Sequence, residues 1–216
     1  MSDRGKNQIM QSEARIYVVD ADVSMRNALK TLLKSVGLPA QLFGSALEFT
    51  EAERPDTLSC LILEVRLPGI SGLDLQRELK NANIEIPIVF ITAHGDIPMA
   101  VRAMKAGAVD FLTKPFRDQE LLEATQEALD RDWVRRIREH RIADLRSRLN
   151  LLTNRERELL SWVVSGLPNK EIAAELGMSE INVKVHRGNL MRKMQAPSFA
   201  DLVRMAIVLK IPHERP

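Results

Sequence analysis

One cysteine in 216 residues, Cys60, leaves no partner for an internal disulfide and no thiolate set for a structural zinc cage. That usage suits a reducing compartment. Apolar runs are short throughout: none approaches the roughly 18 residues needed to span a bilayer, and the polar opening MSDRGKNQ has no signal-peptide core. The expectation is a cytoplasmic protein with no membrane partner. Gly69, Gly72 and Gly95 fall outside both the dinucleotide and the Walker spacing, which argues against a nucleotide site. His94 has no ligand pattern around it, so no metal role is expected there. What remains is an ordinary soluble balance, 45% hydrophobic and 28% charged, enough for one large or two small cores at about 150 residues per domain.

The formal net charge of +2 conceals a division. Met1 to Asp130 holds 14 lysines and arginines against 19 acids, a net of −5, whereas Arg131 to Pro216 holds 17 against 10, a net of +7. A basic carboxyl half behind an acidic amino half points to a polyanionic partner for one domain, with a solvated basic surface as the equal alternative on charge alone.

The periodicity divides at the same place. IYVVD (16–20), PAQLF (39–43), SCLIL (59–63), IPIVFIT (86–92) and VDFLT (109–113) read as strands, four of them apolar almost throughout, as parallel strands covered on both faces are. Helical patterns lie between them near 24–36, 45–53, 72–82 and 96–106, with a fifth starting at about 118. This alternation predicts an α/β fold with a five-stranded, doubly wound parallel sheet, whose chemistry sits at the carboxyl ends of the strands.

The second half has no strand signal. Residues 118–149 lack Gly and Pro and read as one long helix or two nearly continuous ones; Ile142, Leu145, Leu149 and Leu152 form a short seam suited to pairing two chains. Four helices follow in an all-α module. Thr153 and Glu156 make a capping box, Gly166 and Gly177 are placed as helix stops, and Ser179 caps a third helix running to about Met194. A fourth spans about 198–210. Helix, short turn with glycine, helix is the spacing of a helix-turn-helix. On the third helix Val183, Leu190 and Met194 belong to the core, while Lys184, Val185, Gly188, Asn189 and Arg192 share another face that suits a major groove.

The stretch LTNRERELLSWVVSGLPNKEIAAELGMSEINVKVHRGNLMRKM resembles the LuxR-type helix-turn-helix along its whole length, through L-T-x-R-E-x-E, G-x-x-N-K-E-I-A, L-x-x-S and V-K-V-H-R-x-N-L-x-x-K. The resemblance implies that Lys184, Val185, Gly188 and Asn189 face bases, and that Asn169, Lys170, His186, Arg187 and Lys193 mainly hold phosphates. Asn182 stands where the family usually has Thr, and Gly188 where a larger residue is common, so sequence preference does not transfer from relatives.

VVDAD near the start, LPGISGLDL after the third strand and GDIPMAVRAMKAGAVDFLTKPF (95–116) resemble a receiver domain. With the carboxyl module, the chain resembles the NarL/FixJ family of response regulators, closest in wording to FixJ-like members. The resemblance implies a pocket of two adjacent acids, a phosphoacceptor Asp, a Thr, a Lys and bound Mg²⁺. Thr92, Lys114 and the switch aromatic Phe111 match it, and relatives place a cis bond at Lys114-Pro115. Two positions do not match: the acid pair reads Asp20-Ala21, and Glu64 stands at the phosphoacceptor position. The expectation is therefore no cofactor, with only weak Mg²⁺ binding at Asp20 and Glu64 left open. Glu64 has three readings: a buried ion pair with Lys114, an imitation of the phosphorylated state that reaches Thr92, or a pocket in which another residue such as Thr92 or Asp22 accepts the phosphoryl group.

The organisation so read is a tail at 1–13, a flavodoxin-like receiver at 14–130, a helical linker at 131–150 and a LuxR-type helix-turn-helix at 151–211. The function expected is transcription regulation without enzymatic turnover, on double-stranded DNA, as a homodimer, with a sensor kinase or another protein as partner. The alternatives are an adaptor built on the degenerate receiver, or a receiver still phosphorylated at a non-standard residue.

Overall fold

The computed structural model describes residues 14–212, so the tail expected at 1–13 lies outside the described residues. The chain forms two compact units that divide between Arg136 and Ile137. In the first, five parallel strands, β1 (Arg15–Val19), β2 (Ala40–Phe43), β3 (Ser59–Glu64), β4 (Ile88–Thr92) and β5 (Asp110–Thr113), lie in the order β2-β1-β3-β4-β5. Strand and helix bounds of this unit agree with the periodicity to within two residues.

Alternation along the strands feeds two cores. Ile16, Val18, Cys60, Ile62, Val89 and Ile91 pack with Leu29 and Leu33 of α1 (Val23–Ser35) and with Leu121 and Ala128 of α5 (Asp118–Asn150). Tyr17, Val19, Leu61, Leu63 and Phe90 face the other way, onto α2 (Ala46–Glu51), α3 (Gly72–Asn81) and α4 (Ile97–Lys105). The first four helices start on Asp22, Ser45, Ser71 and Asp96, whose side-chain oxygens accept from N–H groups that a helix start leaves unpaired; such a cap contributes about 1 kcal/mol. Gly72 has a specific reason to be glycine. A Cβ there would collide with the Glu64 carbonyl, so its absence lets α3 begin against the end of β3.

The helix from Asp118 is a single 33-residue element, α5, and the division between units falls inside it. The receiver unit extends beyond the expected limit at residue 130. Beyond that limit lies Asp132, fully buried, which accepts from the Ser59 N–H at 3.0 Å and from Arg136 Nε at 2.8 Å; Arg136 goes on to Asp56 at 2.6 Å.

The second unit holds α6 (Asn154–Val164), α7 (Asn169–Glu175), α8 (Glu180–Met194) and α9 (Phe199–Val208). Leu159, Leu160, Val163, Ile172, Val183, Leu190, Met194 and Leu202 form its core. Gly166 and Gly177 both take left-handed φ, 84° and 59°, ending α6 and α7. Of the four seam residues, Leu152 belongs to this core and Leu149 packs against it. Among the described residues no helix is long and apolar enough to cross a membrane.

Candidate functional site

The receiver pocket forms where β1, β3, β4 and β5 end. Val19 pairs with Leu63, so Asp20 and Glu64 leave neighbouring strands side by side, both buried. From the end of β5, Lys114 reaches between them: its Nζ donates to Asp20 Oδ2 at 2.6 Å and to Glu64 Oε2 at 2.7 Å. The other two oxygens are also engaged. Asp20 Oδ1 accepts from the Asp22 N–H at 2.9 Å and Glu64 Oε1 from the Arg66 N–H at 3.1 Å. Burial pulls the Lys114 ammonium down, but its hydrogen bonds to Asp20 and Glu64 outweigh this and hold its pKa above the ordinary lysine value. The peptide bond from Lys114 to Pro115 is cis.

The remaining candidates sort clearly. Asp22 is exposed and caps α1, its Oδ1 accepting from the Ser24 and Met25 N–H groups, which directs that oxygen to the helix. Ala21 places an exposed methyl at the pocket. Thr92 is fully buried and its hydroxyl accepts from the His94 N–H at 3.3 Å; among the described residues no hydrogen bond joins it to Glu64. The contact required for imitation of a phosphoryl group is therefore not made. Phe111 is half-buried, its ring 6.1 Å from that of Phe90, and Gly95 lies so close to Phe111 and Thr113 that a Cβ would need both to shift.

Both carboxylates of this donor set already have a cationic partner. Mg²⁺ needs near-octahedral oxygens and usually one or two carboxylates free to coordinate it. Here one acid position is a methyl group and both remaining carboxylates are held by the same ammonium. Among the described residues no group of three or more His, Cys, Asp and Glu is gathered in the manner of a metal site.

In the second unit α8 displays the candidate DNA-reading surface. Ser179 accepts from the Asn182 N–H at 3.2 Å and starts the helix; Val183, Leu190 and Met194 are fully buried and fix which face is left outward. That face presents exposed Lys184, Val185 and Gly188, with open space where a Gly188 side chain would be, and Asn189, which accepts from Arg192 at 3.2 Å. Ile181, 76% exposed, is one turn from Val185 and extends the apolar stripe. Sequence reasoning missed it; the signal was an apolar residue two places from Val183 and off its core register. Exposed apolar side chains on such a helix suit thymine methyl groups.

The flanking residues are less uniform than expected. Lys170 is exposed, whereas Arg187 donates to Asn169 at 3.0 Å and lies over the Phe199 ring, 5.2 Å from its centroid. His186 is half-buried, with Nδ1 enclosed and, among the described residues, without a hydrogen-bond partner. Lys193 is half-buried and donates to buried Glu156 at 2.6 Å, a partnership the sequence reading did not include. Burial pushes the Glu156 carboxyl up, but hydrogen bonds from Lys193 and Thr153 outweigh it and hold the pKa below the usual glutamate value. Glu156 thus closes the capping box of α6 and anchors the end of α8 together.

Comparison with known proteins follows the same division. Residues 16–126 match the response regulator receiver domain, and residues 150–206 match the bacterial regulatory proteins of the luxR family. The chain is similar to nodulation protein W of Bradyrhizobium diazoefficiens, 53% identical over 96% of this chain and 92% of that one. It is also similar to the transcriptional regulatory protein FixJ of Azorhizobium caulinodans, 41% identical over 92% of this chain and 94% of the other. Among solved structures, that of the response regulator StyR superposes with a TM-score of 0.81 at 46% identity, covering 90% of this chain and 98% of that one. The chain belongs to the NarL/FixJ family of two-component response regulators, DNA-binding transcription regulators that join a receiver to a LuxR-type helix-turn-helix.

Proposed function

We propose that this regulator controls transcription in the cytoplasm as a homodimer, without enzymatic turnover, and that its receiver does not use aspartyl phosphorylation. The observation that carries this reading is Lys114 bridging Asp20 and Glu64 beside the methyl of Ala21. Glu64 is one methylene longer than an aspartate and its carboxylate is turned to the ammonium; a displacement of about 1 Å costs on the order of a hundredfold in rate even with the rest of a site intact. The ion pair supports a structural role for Glu64 over imitation of a phosphoryl group. Signal input then comes through a protein partner, a sensor kinase or another protein, that recognises the receiver surface.

For output, two α8 helices about one DNA turn apart read an inverted repeat. Exposed apolar residues on two helices suit pairing: Ile97, Val101 and Met104 on α4, and Ile207 on α9. The test is incubation with acetyl phosphate and Mg²⁺ followed by intact mass. The unmodified mass is expected; a phosphate on Asp20, Asp22 or Glu64 overturns the reading.

A further inference from the structure

The amino half is acidic, at −5, yet one of its grooves is strongly basic. Between α3 and α4 lies a cavity of about 660 Å³ lined by Arg66, Arg77, Lys80 and Arg102. Asp74 is the acid on this lining, and it pairs with Arg77 at 2.7 Å. Arg66, Lys80 and Arg102 are exposed, and among the described residues no ion pair joins them to a carboxylate. The floor is apolar: Leu67, Leu73 and Met99 pack against the core beneath and show their outer sides to the groove.

The spread of the cations decides the shape of the ligand. Arg66 precedes α3, Arg77 lies in its second half and Lys80 in its last turn. Ten residues of helix rise about 15 Å, so these charges follow the groove and do not converge on one point as a small anion requires. The buried Gln76 on this lining is already engaged, its carboxamide donating to the Ala103 carbonyl at 3.3 Å. An apolar floor with cations along its rim is complementary to an amphipathic helix whose polar side is acidic.

We propose that the α3–α4 groove is a docking site for an acidic amphipathic helical segment of a partner protein. The apolar stripe of that segment lies on Leu67 and Met99, and its carboxylates face Arg66, Arg77, Lys80 and Arg102. The pairing is long-range in part and weakens with salt.

The test uses the full chain and a fluorescein-labelled peptide of about four helical turns, leucine along one face and glutamate elsewhere, read by fluorescence anisotropy. Binding with a Kd below about 100 µM is expected, with a loss of about tenfold or more in Arg66→Glu/Arg102→Glu. Lys184→Ala, on the DNA-reading helix, and Lys30→Glu/Lys34→Glu, on α1, are expected to change affinity less than about twofold. Absence of binding at about 1 mM overturns the proposal. So does an equal loss in Lys184→Ala, which puts the peptide on the DNA surface, or equally tight binding of oligoglutamate without leucine, which removes the floor. Circular dichroism checks folding of the double reversal; should it unfold, Arg66→Gln/Arg102→Gln carries the same expectation of reduced affinity.

Discussion

Each unit of this regulator buries a carboxylate against a lysine, and the two contacts differ in what they consume. In the receiver a single ammonium is shared by Asp20 and Glu64, and the contact joins the ends of three strands. In the DNA-binding unit a single carboxylate, Glu156, is shared by Lys193 and the start of α6, and the contact fixes one end of the reading helix without using any residue of its outward face. The difference teaches that one physical requirement, a partner for each buried charge, is met by a shared cation in the first unit and by a shared carboxylate in the second.

The strongest way to break the comparison is to give the receiver back its acids. Ala21→Asp/Glu64→Asp is expected to gain one phosphate by intact mass from acetyl phosphate and Mg²⁺, with Glu64→Asp alone gaining little because the second acid is still missing. Equal labelling of the single variant would show that the methyl of Ala21 is no obstacle.

Removing the lysines comes next. Lys114→Met leaves two carboxylates facing each other and is expected to cost about 3–5 kcal/mol. Lys193→Met leaves Glu156 with its Thr153 partners and is expected to cost about 1–3 kcal/mol. Urea unfolding of the full chain, followed separately for the two units, gives both figures, and equal losses would dissolve the distinction.

DNA binding sharpens it further. Lys184→Ala is expected to lose about 1–3 kcal/mol on the operator and to relax one base position, whereas Lys170→Ala weakens all sequences and flattens the salt slope by about one. Lys193→Ala is expected to lower thermal stability without changing that slope, since its charge is already neutralised by Glu156.

The same two contacts set opposite pH limits. Lys114, with a raised pKa, contributes stability that is complete below 10.5 and is lost as pH rises through its folded value. Glu156, with a lowered pKa, contributes stability that is complete above 4.5 and is lost as pH falls through its folded value. Thermal melts across pH are expected to show Lys114→Met flattening the alkaline limb and Glu156→Gln the acid limb. The smallest change concerns Gly188, which has open space around it: Gly188→Ala is expected to stabilise α8 by about 1 kcal/mol, read by thermal denaturation.

Much of this was legible from residue order. Apolar runs located every strand, Thr153 and Glu156 announced their capping box, and Glu64 beside Lys114 was one of three stated readings. Less legible were partnerships that depend on packing between distant segments. Lys193 looked like a free cation because Glu156 lies 37 residues away and on another helix. The leucine seam had the spacing of a two-chain contact, but spacing does not say whether the facing surface belongs to the same chain. Asp132 looked like any charge on a polar helix, and nothing local to it indicates that it accepts from Ser59.

Asp132 also determines how portable the receiver is. A receiver severed at Asp130 would lose the acceptor of the Ser59 N–H at the start of β3, a loss of about 1–3 kcal/mol in the strand that carries Glu64, and with it the Arg136 that binds Asp56 on the approach to β3. Severed after Arg136, it keeps both. The joint between the two units is thus in mid-helix: an output borrowed from a relative is expected to leave the receiver intact when joined after Arg136, and when joined at Asp130 only if the borrowed segment brings its own carboxylate to that place.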